Sequence, residues 1–515
     1  MEQKQVNPWV VAMAVMFATF MEVLDTTVVN VSLPHIASSM AATTEEATWA
    51  LTSYLVANAI VLPMTGWLAS MFGRKRLLMI STAGFTIASF FCGAAPNLAS
   101  LVVFRIIQGA TGGALQPLSQ AVLLESFKPE DRGRAMGFWG LGIVVAPILG
   151  PVFGGWLTEN YSWRWIFYIN LPVGIASLIM TRLFVFDPSY LRKASQGIDY
   201  WGMGMLVVGI GALQYVLDKG QQADWFASTL IVVLSVIAAV ALVALVLHQL
   251  KSTRPIIDLH LFKDRTYATG VFLMTVLGFV LYGSLVLLPV MLQTLFGYSS
   301  LEAGKAMAPR GVGSMLVMPI VGYLTAHFDP RKMLAFGLAI GGVTLLWLGQ
   351  LNLNAGYWDI FWPQFLQGAG MALLFVPLTT VSMATIARER MGYATSMFNL
   401  MRNVGGSVGI AVTATMVQRQ RQIIGATLGV HVSAYDPVTQ SMFEQIRNGM
   451  IAAGSDVVTA TQRTYIVLHG MLLQQASMVS FVMLFRWLGA IFLLMLPLVL
   501  LMRKPSAGGE AVAAH

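Results

Sequence analysis

Predominantly apolar runs recur along the chain, near residues 10–33, 49–69, 77–95, 99–121, 136–157, 165–183, 200–217, 228–248, 268–291, 307–326, 333–351, 361–384, 399–418 and 480–501. An α-helix rises ~1.5 Å per residue, so roughly 20 such residues cross a hydrocarbon core ~30 Å thick. Inside lipid every backbone N–H and C=O must bond within its own segment, and for runs of this length that leaves a bundle of helices. The expected fold class is an all-α polytopic membrane protein of fourteen spans. Composition agrees, with 57% hydrophobic and 10% charged residues, where an ordinary soluble domain carries about 25% charged.

The formal charge of +8 does not point to nucleic acid, because Lys and Arg sit in short loops rather than on a basic soluble face. With the N-terminus inside, most of the 31 Lys and Arg fall in internal loops and tails, including Arg74, Lys75, Arg76, Lys128, Arg132, Arg134, Arg331, Lys332, Arg388, Arg390, Arg503 and Lys504. That asymmetry predicts two cytoplasmic termini. The N-terminal MEQKQVNPWV lacks a basic leader ending in a cleavage site, so the first span is expected to act as its own insertion signal. Cys92 is alone and forms no intramolecular disulfide.

The chain also repeats. GWLASMFGRKR at 66–76 returns as GYLTAHFDPRK at 322–332, and the pattern Gln108-Gly109-Ala110 with Pro117-Leu118 returns as Gln367-Gly368-Ala369 with Pro377-Leu378. Repeats on the same membrane side predict two parallel six-helix bundles, at 1–192 and 251–515, with two inserted helices at 193–250. Residues 419–479 read as a long external loop between the thirteenth and fourteenth spans. It ends in YIVLHGMLLQQASMV, an apolar stretch too interrupted for another span. A loop of that length is suited to docking a partner.

Glu22 and Asp25 lie inside the first apolar run. An ionised carboxylate there is costly, so both are candidate proton, ion or substrate groups. Arg105, with Gln108, Gln116 and Gln120 further along the fourth span, is a cation that must pair, snorkel or face water. A protonatable acid near Arg105 for part of a cycle would couple proton and ligand occupancy; a static contact that only holds the bundle is the alternative. Gly142, Pro147, Gly150, Pro151, Gly154 and Gly155 predict a bent, closely packed fifth span at the alternating-access interface. In the second half Arg310 begins the tenth span, Asn399, Arg402 and Asn403 share the thirteenth, and Glu302 lies just outside. Arg402 suits a snorkelling, gating or substrate role. Asp218 closes the seventh span as an interfacial residue. Met and aromatic side chains suit a permissive apolar pocket, with Phe17, Met21, Tyr54, Asn58, Gln116, Phe138, Met274 and Asn399 as candidate lining. The His residues and Cys92 show no metal-ligand spacing and no phosphate-binding glycine loop occurs, so neither an enzyme nor a cofactor is expected.

Four motifs carry a resemblance to a known family: LDTTVVNVSLP at 24–34, GWLASMFGRKR at 66–76, FRIIQGATGGA at 104–114 and APILGPVFGG at 146–155. In this order the chain resembles the fourteen-helix drug:proton antiporter branch of the major facilitator superfamily. The resemblance implies proton-driven export of lipophilic drugs and toxic compounds across a cell inner membrane by alternating access. A proton-coupled symporter importing a nutrient is the alternative. The resemblance further implies Asp25 as the main coupling residue, Glu22 as a more variable position able to contact cationic drugs, and a fifth span tied to exchange. Gly73, Arg74, Asp329 and Arg331 become candidate gate residues through loops latching the inner face. A periplasmic membrane-fusion adaptor and an outer-membrane channel are the implied partners, beside protons, lipophilic small molecules and the lipid bilayer. One departure is that Ser70 stands where the family's loop acid is expected, while the second copy keeps Asp329.

Overall fold

The computed structural model describes residues 7–187, 199–252, 255–325, 327–433 and 435–502. The expected 192/193 boundary and the cations Arg503 and Lys504 lie outside the described residues. All regular structure among the described residues is helical. The long helices are α1 (Pro8–Ser39), α2 (Trp49–Phe72), α3 (Arg74–Gly93), α4 (Leu98–Ser126), α5 (Arg132–Asn160), α6 (Trp165–Phe184), α7 (Tyr200–Lys219) and α8 (Thr229–Lys251). They continue with α9 (Arg265–Leu295), α10 (Ser300–Leu324), α11 (Pro330–Leu348), α12 (Tyr357–Ala384), α13 (Met391–His431), α14 (Pro437–Ala452) and α15 (Val457–Leu494). Eleven helices among the described residues are long and apolar enough to cross a membrane, or twelve with bent α5 counted as one. α10 and α13 fall on predicted spans but are diluted by Gly, Arg and other polar residues.

Acids outside the apolar interior mostly serve helix ends. Asp199, Asp264, Asp436 and Asp456 each accept backbone N–H bonds at the start of the following helix, satisfying donors that have no intrahelical partner. Ser299 and Glu302 form a reciprocal cap on α10, with the Glu302 carboxylate accepting the Ser299 N–H at 2.8 Å. Asn97 and Ser100 do the same on α4.

α1 to α6 pack mainly on one another, as do α9 to α13 together with α15. α7 and α8 pair, and α7 rests on α2 and α13 where the two groups adjoin. The groups meet through α2 with α13, α5 with α10 and α12, and α4 with α13. Near the end of the bundle that carries Arg74 and Arg132, here called the basic end, these crossings are backbone-close. A Cβ on Gly66 would stand 2.6 Å from Tyr393 backbone, one on Gly322 3.0 Å from the Gly133 carbonyl, and one on Gly137 3.0 Å from the Met318 carbonyl. The halves are therefore closed against each other at the basic end.

Two expectations change here. α5 is bent by 41° across Pro147 to Val152, as its prolines predict. Yet Gly150 abuts Thr27 and Gly154 abuts Val28, so these two glycines of the motif face α1 inside the first group, not the second group. The Pro151 side chain lies outside the described residues. Crossing to the second group is made earlier in α5, by Gly133, Gly137 and Gly140. The stretch 419–479 is also not an irregular loop. α13 runs 41 residues to His431, α14 packs on α15, and α15 begins at Val457. Among the described residues the helices of this stretch end at His431 and Ala452, and Gly454 takes φ +96° before α15 begins.

The close approaches set a stability test. A Cβ on Gly109 would overlap the Tyr54 carbonyl, whereas Gly204 has nothing within 4 Å. Gly109→Ala is expected to destabilise the detergent-solubilised protein by about 1–3 kcal/mol, and Gly204→Ala to be neutral or stabilising by up to about 1 kcal/mol. Thermal unfolding followed by tryptophan fluorescence measures both.

Candidate functional site

Asp25 and Glu22 sit one turn apart on α1 and point into different surroundings. Asp25 faces into the first group. Its Oδ2 accepts from Arg105 Nη1 at 2.5 Å, and its Oδ1 accepts from Gln108 Nε2 at 2.9 Å and Asn170 Nδ2 at 2.8 Å. Arg105 also donates through Nε to the Ala50 carbonyl at 2.8 Å and through Nη1 to Gln108 Oε1 at 2.7 Å, with its guanidinium 4.1 Å over the Tyr54 ring. Asn170 donates further to Ser89 Oγ, which donates to the Phe167 carbonyl. Both charged side chains are fully buried. An acid and a guanidinium so enclosed are tolerable only because each satisfies the other and neutral amides occupy the remaining lone pairs. One knot thus ties α1, α2, α4 and α6 together.

Glu22 faces the other way, where the groups meet. Its carboxylate accepts from Asn58 Nδ2 on α2 at 3.1 Å and from Gln116 Nε2 on α4 at 2.5 Å. The Gln116 carbonyl oxygen in turn accepts from Arg402 Nη2 on α13. The neutral amide therefore stands between an acid of the first group and a cation of the second. Nearby, Asn399 Nδ2 donates to Gln120 Oε1 at 2.6 Å and Thr395 Oγ1 donates to the Pro117 carbonyl at 3.1 Å, so α4 and α13 are joined over several turns. Trp139 stacks on Phe375 of the opposite group at 5.9 Å and donates to Thr19 Oγ1 at 3.1 Å.

The remaining candidates divide. Asn58, Gln116 and Asn399 join this inter-group network, while Tyr54 lies under Arg105. Met21 and Met274 are fully buried in the common apolar core, with Phe138 packed on it. Phe17 is half-buried. Arg310 donates to Ser284 Oγ at 3.2 Å, away from Glu22. Asp218 accepts from the Thr52 hydroxyl at the end opposite the basic one, as an interfacial residue would.

At the basic end the two repeat loops behave unequally. Gly73 takes φ +83°, a conformation that disfavours any side chain, and a Cβ there would meet the Asp187 carboxylate at 2.7 Å. Asp187 accepts the Lys75 N–H at 2.8 Å, so a carboxylate from the far end of the first group's sequence sits against this loop. Buried Arg74 pairs with Glu125 at the end of α4 and donates to the Arg388 carbonyl of the second group at 3.3 Å. Arg74 thus bridges the groups. Asp329 differs: it caps α11 through the Arg331 N–H at 3.0 Å and pairs with the Arg331 guanidinium, which reaches the Met502 carbonyl at 3.1 Å. The bonds of Asp329 and Arg331 described here stay within the second group, because Asp followed by Pro330 is a helix start. Arg134 crosses instead, lying 5.0 Å over the Tyr323 ring. Asn170, Glu125 and Asp187 were missed because each reads as an ordinary helix-end or connector residue and gains its role only from distant partners.

The sequence matches the family model of the Major Facilitator Superfamily over residues 15–410. It is similar to the multidrug export protein EmrB of Escherichia coli, 37% identical over 509 residues covering 98% of both chains, and to EmrB of Haemophilus influenzae, 40% identical over 84% of this chain and 85% of that one. The fatty acid resistance protein FarB of Neisseria gonorrhoeae is 38% identical over 97% of both. Among solved structures, the human organic anion transporter MFSD10 (TETRAN) aligns with a TM-score of 0.62 at 14% identity, over 96% of this chain and 99% of that one. The proton:xylose symporter XylE aligns at 0.56 and 17% identity, over 81% and 90%. These two likenesses speak for the fold.

The two acids differ in what their loss leaves behind. Asp25→Asn strands a buried guanidinium and is expected to cost about 3–5 kcal/mol, with Asp25→Asn/Arg105→Gln recovering part of it. Glu22→Gln keeps a shape able to bond Asn58 and Gln116 and is expected to cost about 1 kcal/mol. Thermal unfolding of the three variants in one detergent checks the order.

Proposed function

The chain belongs to the Major Facilitator Superfamily, and on that footing we propose that it exports lipophilic drugs and toxic compounds across a cell inner membrane by proton-driven, alternating-access antiport. The observation that carries the reading is the link from Glu22 through Gln116 to Arg402. It puts one protonatable carboxylate of the first group in hydrogen-bonded continuity with a cation of the second. When Glu22 is ionised, the Gln116 amide is oriented by both charges and the groups are held together. Protonation removes the negative end, and a cationic drug beside the carboxylate competes with the amide for it. Proton and drug thereby exclude each other at one acid, which is the linkage that antiport requires.

Asp25 is given a different task from the one its motif implies. Enclosed with Arg105, Gln108 and Asn170, it fixes the inner geometry of the first group. By holding α1 to α4 and α6 it keeps the first group a rigid body, so it supports the conformational half of the coupling while Glu22 carries the exchange. The moving bodies are the segments 1–192 and 251–515, with 193–250 leaning on their junction. Closure at the basic end, with both termini on the cytoplasmic side, corresponds to the phase in which drug leaves outward. The projection formed by the end of α13, α14 and the start of α15 is then periplasmic, the surface offered to a membrane-fusion adaptor and through it to an outer-membrane channel. The relatives named for multidrug export and fatty acid resistance support a broad lipophilic cargo.

Proteoliposomes with an internal pH dye test this. Addition of a lipophilic cation to wild type should move protons opposite to the drug; movement in the same direction would mark a symporter. Glu22→Gln should lose at least about tenfold of drug-dependent proton flux, the consequence of about 1.4 kcal/mol or more in coupling, while remaining inserted and folded. Flux at the wild-type rate in that variant sinks the assignment.

A further inference from the structure

The second group repeats the corner in which Arg105 sits, with one component missing. Gly109 of α4 lies against the Tyr54 carbonyl of α2, and Gly368 of α12 lies against the Arg310 carbonyl of α10. With these glycines in register, Arg310 takes the place of Tyr54, Gln364 that of Arg105 and Gln367 that of Gln108. A guanidinium is thus present in both corners, contributed by a different helix in each. The carboxylate is not. α9 contains no Asp or Glu, and the acids of α10 and α12, Glu302 and Asp359, are committed to caps at Ser299 and Gly356.

Arg310 is 7% exposed. Its Nη1 donates to Ser284 Oγ of α9, its Nη2 has no partner, and among the described residues it forms no ion pair. Gln364 donates to Gln367 Oε1 at 3.2 Å, which leaves Gln367 Nε2 and Gln364 Oε1 unpartnered. Turning both amides over would still leave one NH2 group and one oxygen free. A buried cation and a spare amide donor in apolar surroundings form a site short of one anion.

We propose that Arg310, Ser284 and Gln367 bind the carboxylate of an amphiphilic weak acid. The guanidinium fork takes both carboxylate oxygens, Gln367 adds an amide donor, and the apolar helices around them accept the hydrocarbon part. This site lies apart from Glu22 and gives the transporter a second, opposite charge preference. The ligand's role as cargo rests on the export reading; its binding does not.

The test uses purified full-length protein in micelles, in a chloride-free gluconate buffer, with thermal unfolding and calorimetric titration of decanoate as readouts. Decanoate should stabilise the wild type, and decanamide, equal in chain length but uncharged, should not. Arg310→Gln should weaken decanoate binding at least tenfold. Ser284→Asp, which places a carboxylate beside the guanidinium, should also abolish binding while raising the unfolding temperature of the unliganded protein, so loss of binding there is not loss of fold. Equal binding of decanoate by wild type and Arg310→Gln overturns the proposal, as does undiminished binding by Ser284→Asp. Chloride matching decanoate at equal concentration overturns the carboxylate assignment in favour of a halide site. Absence of all drug-dependent proton flux alongside intact decanoate binding would refute the export reading and leave this site standing.

Discussion

The low dielectric of the bundle interior governs this structure: a charge placed there must meet its partner inside the protein. Asp25 and Arg105 obey the rule by direct pairing, with only Arg105 Nη2 of the guanidinium left without a hydrogen bond, and weld four helices of the first group. Glu22 and Arg402 obey it at one remove, through a neutral amide, and span the two groups. Arg310 has an incomplete set of bonds and no acid. These three degrees of satisfaction describe a rigid element, a breakable element and an open one.

The asymmetry between the repeats follows from the same rule. The first group closes the Asp25–Arg105 corner with an internal pair, so that corner is already neutral. The second group has buried cations on α10 and α13, while the acids of α10 and α12, Glu302 and Asp359, are committed to helix caps, and Arg402 reaches across to the first group for compensation. The shared motifs at 66–76 and 322–332 diverge likewise. Gly73 leaves room for Asp187 to complete the first loop, while Asp329 spends its carboxylate on its own helix start and on Arg331.

Much of this was legible in the sequence because hydropathy and helix punctuation are local properties. The apolar runs, the proline bend of α5 and the mutual need of Asp25 and Arg105 can all be read from short windows. The link between Gln116 and Arg402, 286 residues apart, cannot, because a neutral glutamine in a helix announces no partner. The α5 glycines were legible as a contact surface but not as facing α1, since small residues state that something approaches without stating what. Residues 419–479 read as a loop because their polarity was taken for irregularity; polar sequence is equally able to continue a helix, and Gly425, Gly429, Gly449 and Gly470 are all accommodated inside helices. Asp329 followed by Pro330 carried its capping signal openly, and the latch reading came from the motif rather than from the local chemistry.

α13 begins at the closed basic end, passes the Thr395 and Arg402 contacts, and ends in the projecting tip without a break. Its 41 residues make a rod ~60 Å long at ~1.5 Å per residue. Pivoted near its start, such a rod behaves as a pointer, and each degree of tilt sweeps its far end by about 1 Å. A rearrangement of a few degrees at the Gln116 link would therefore be displayed outside the bundle as a displacement the size of a side chain.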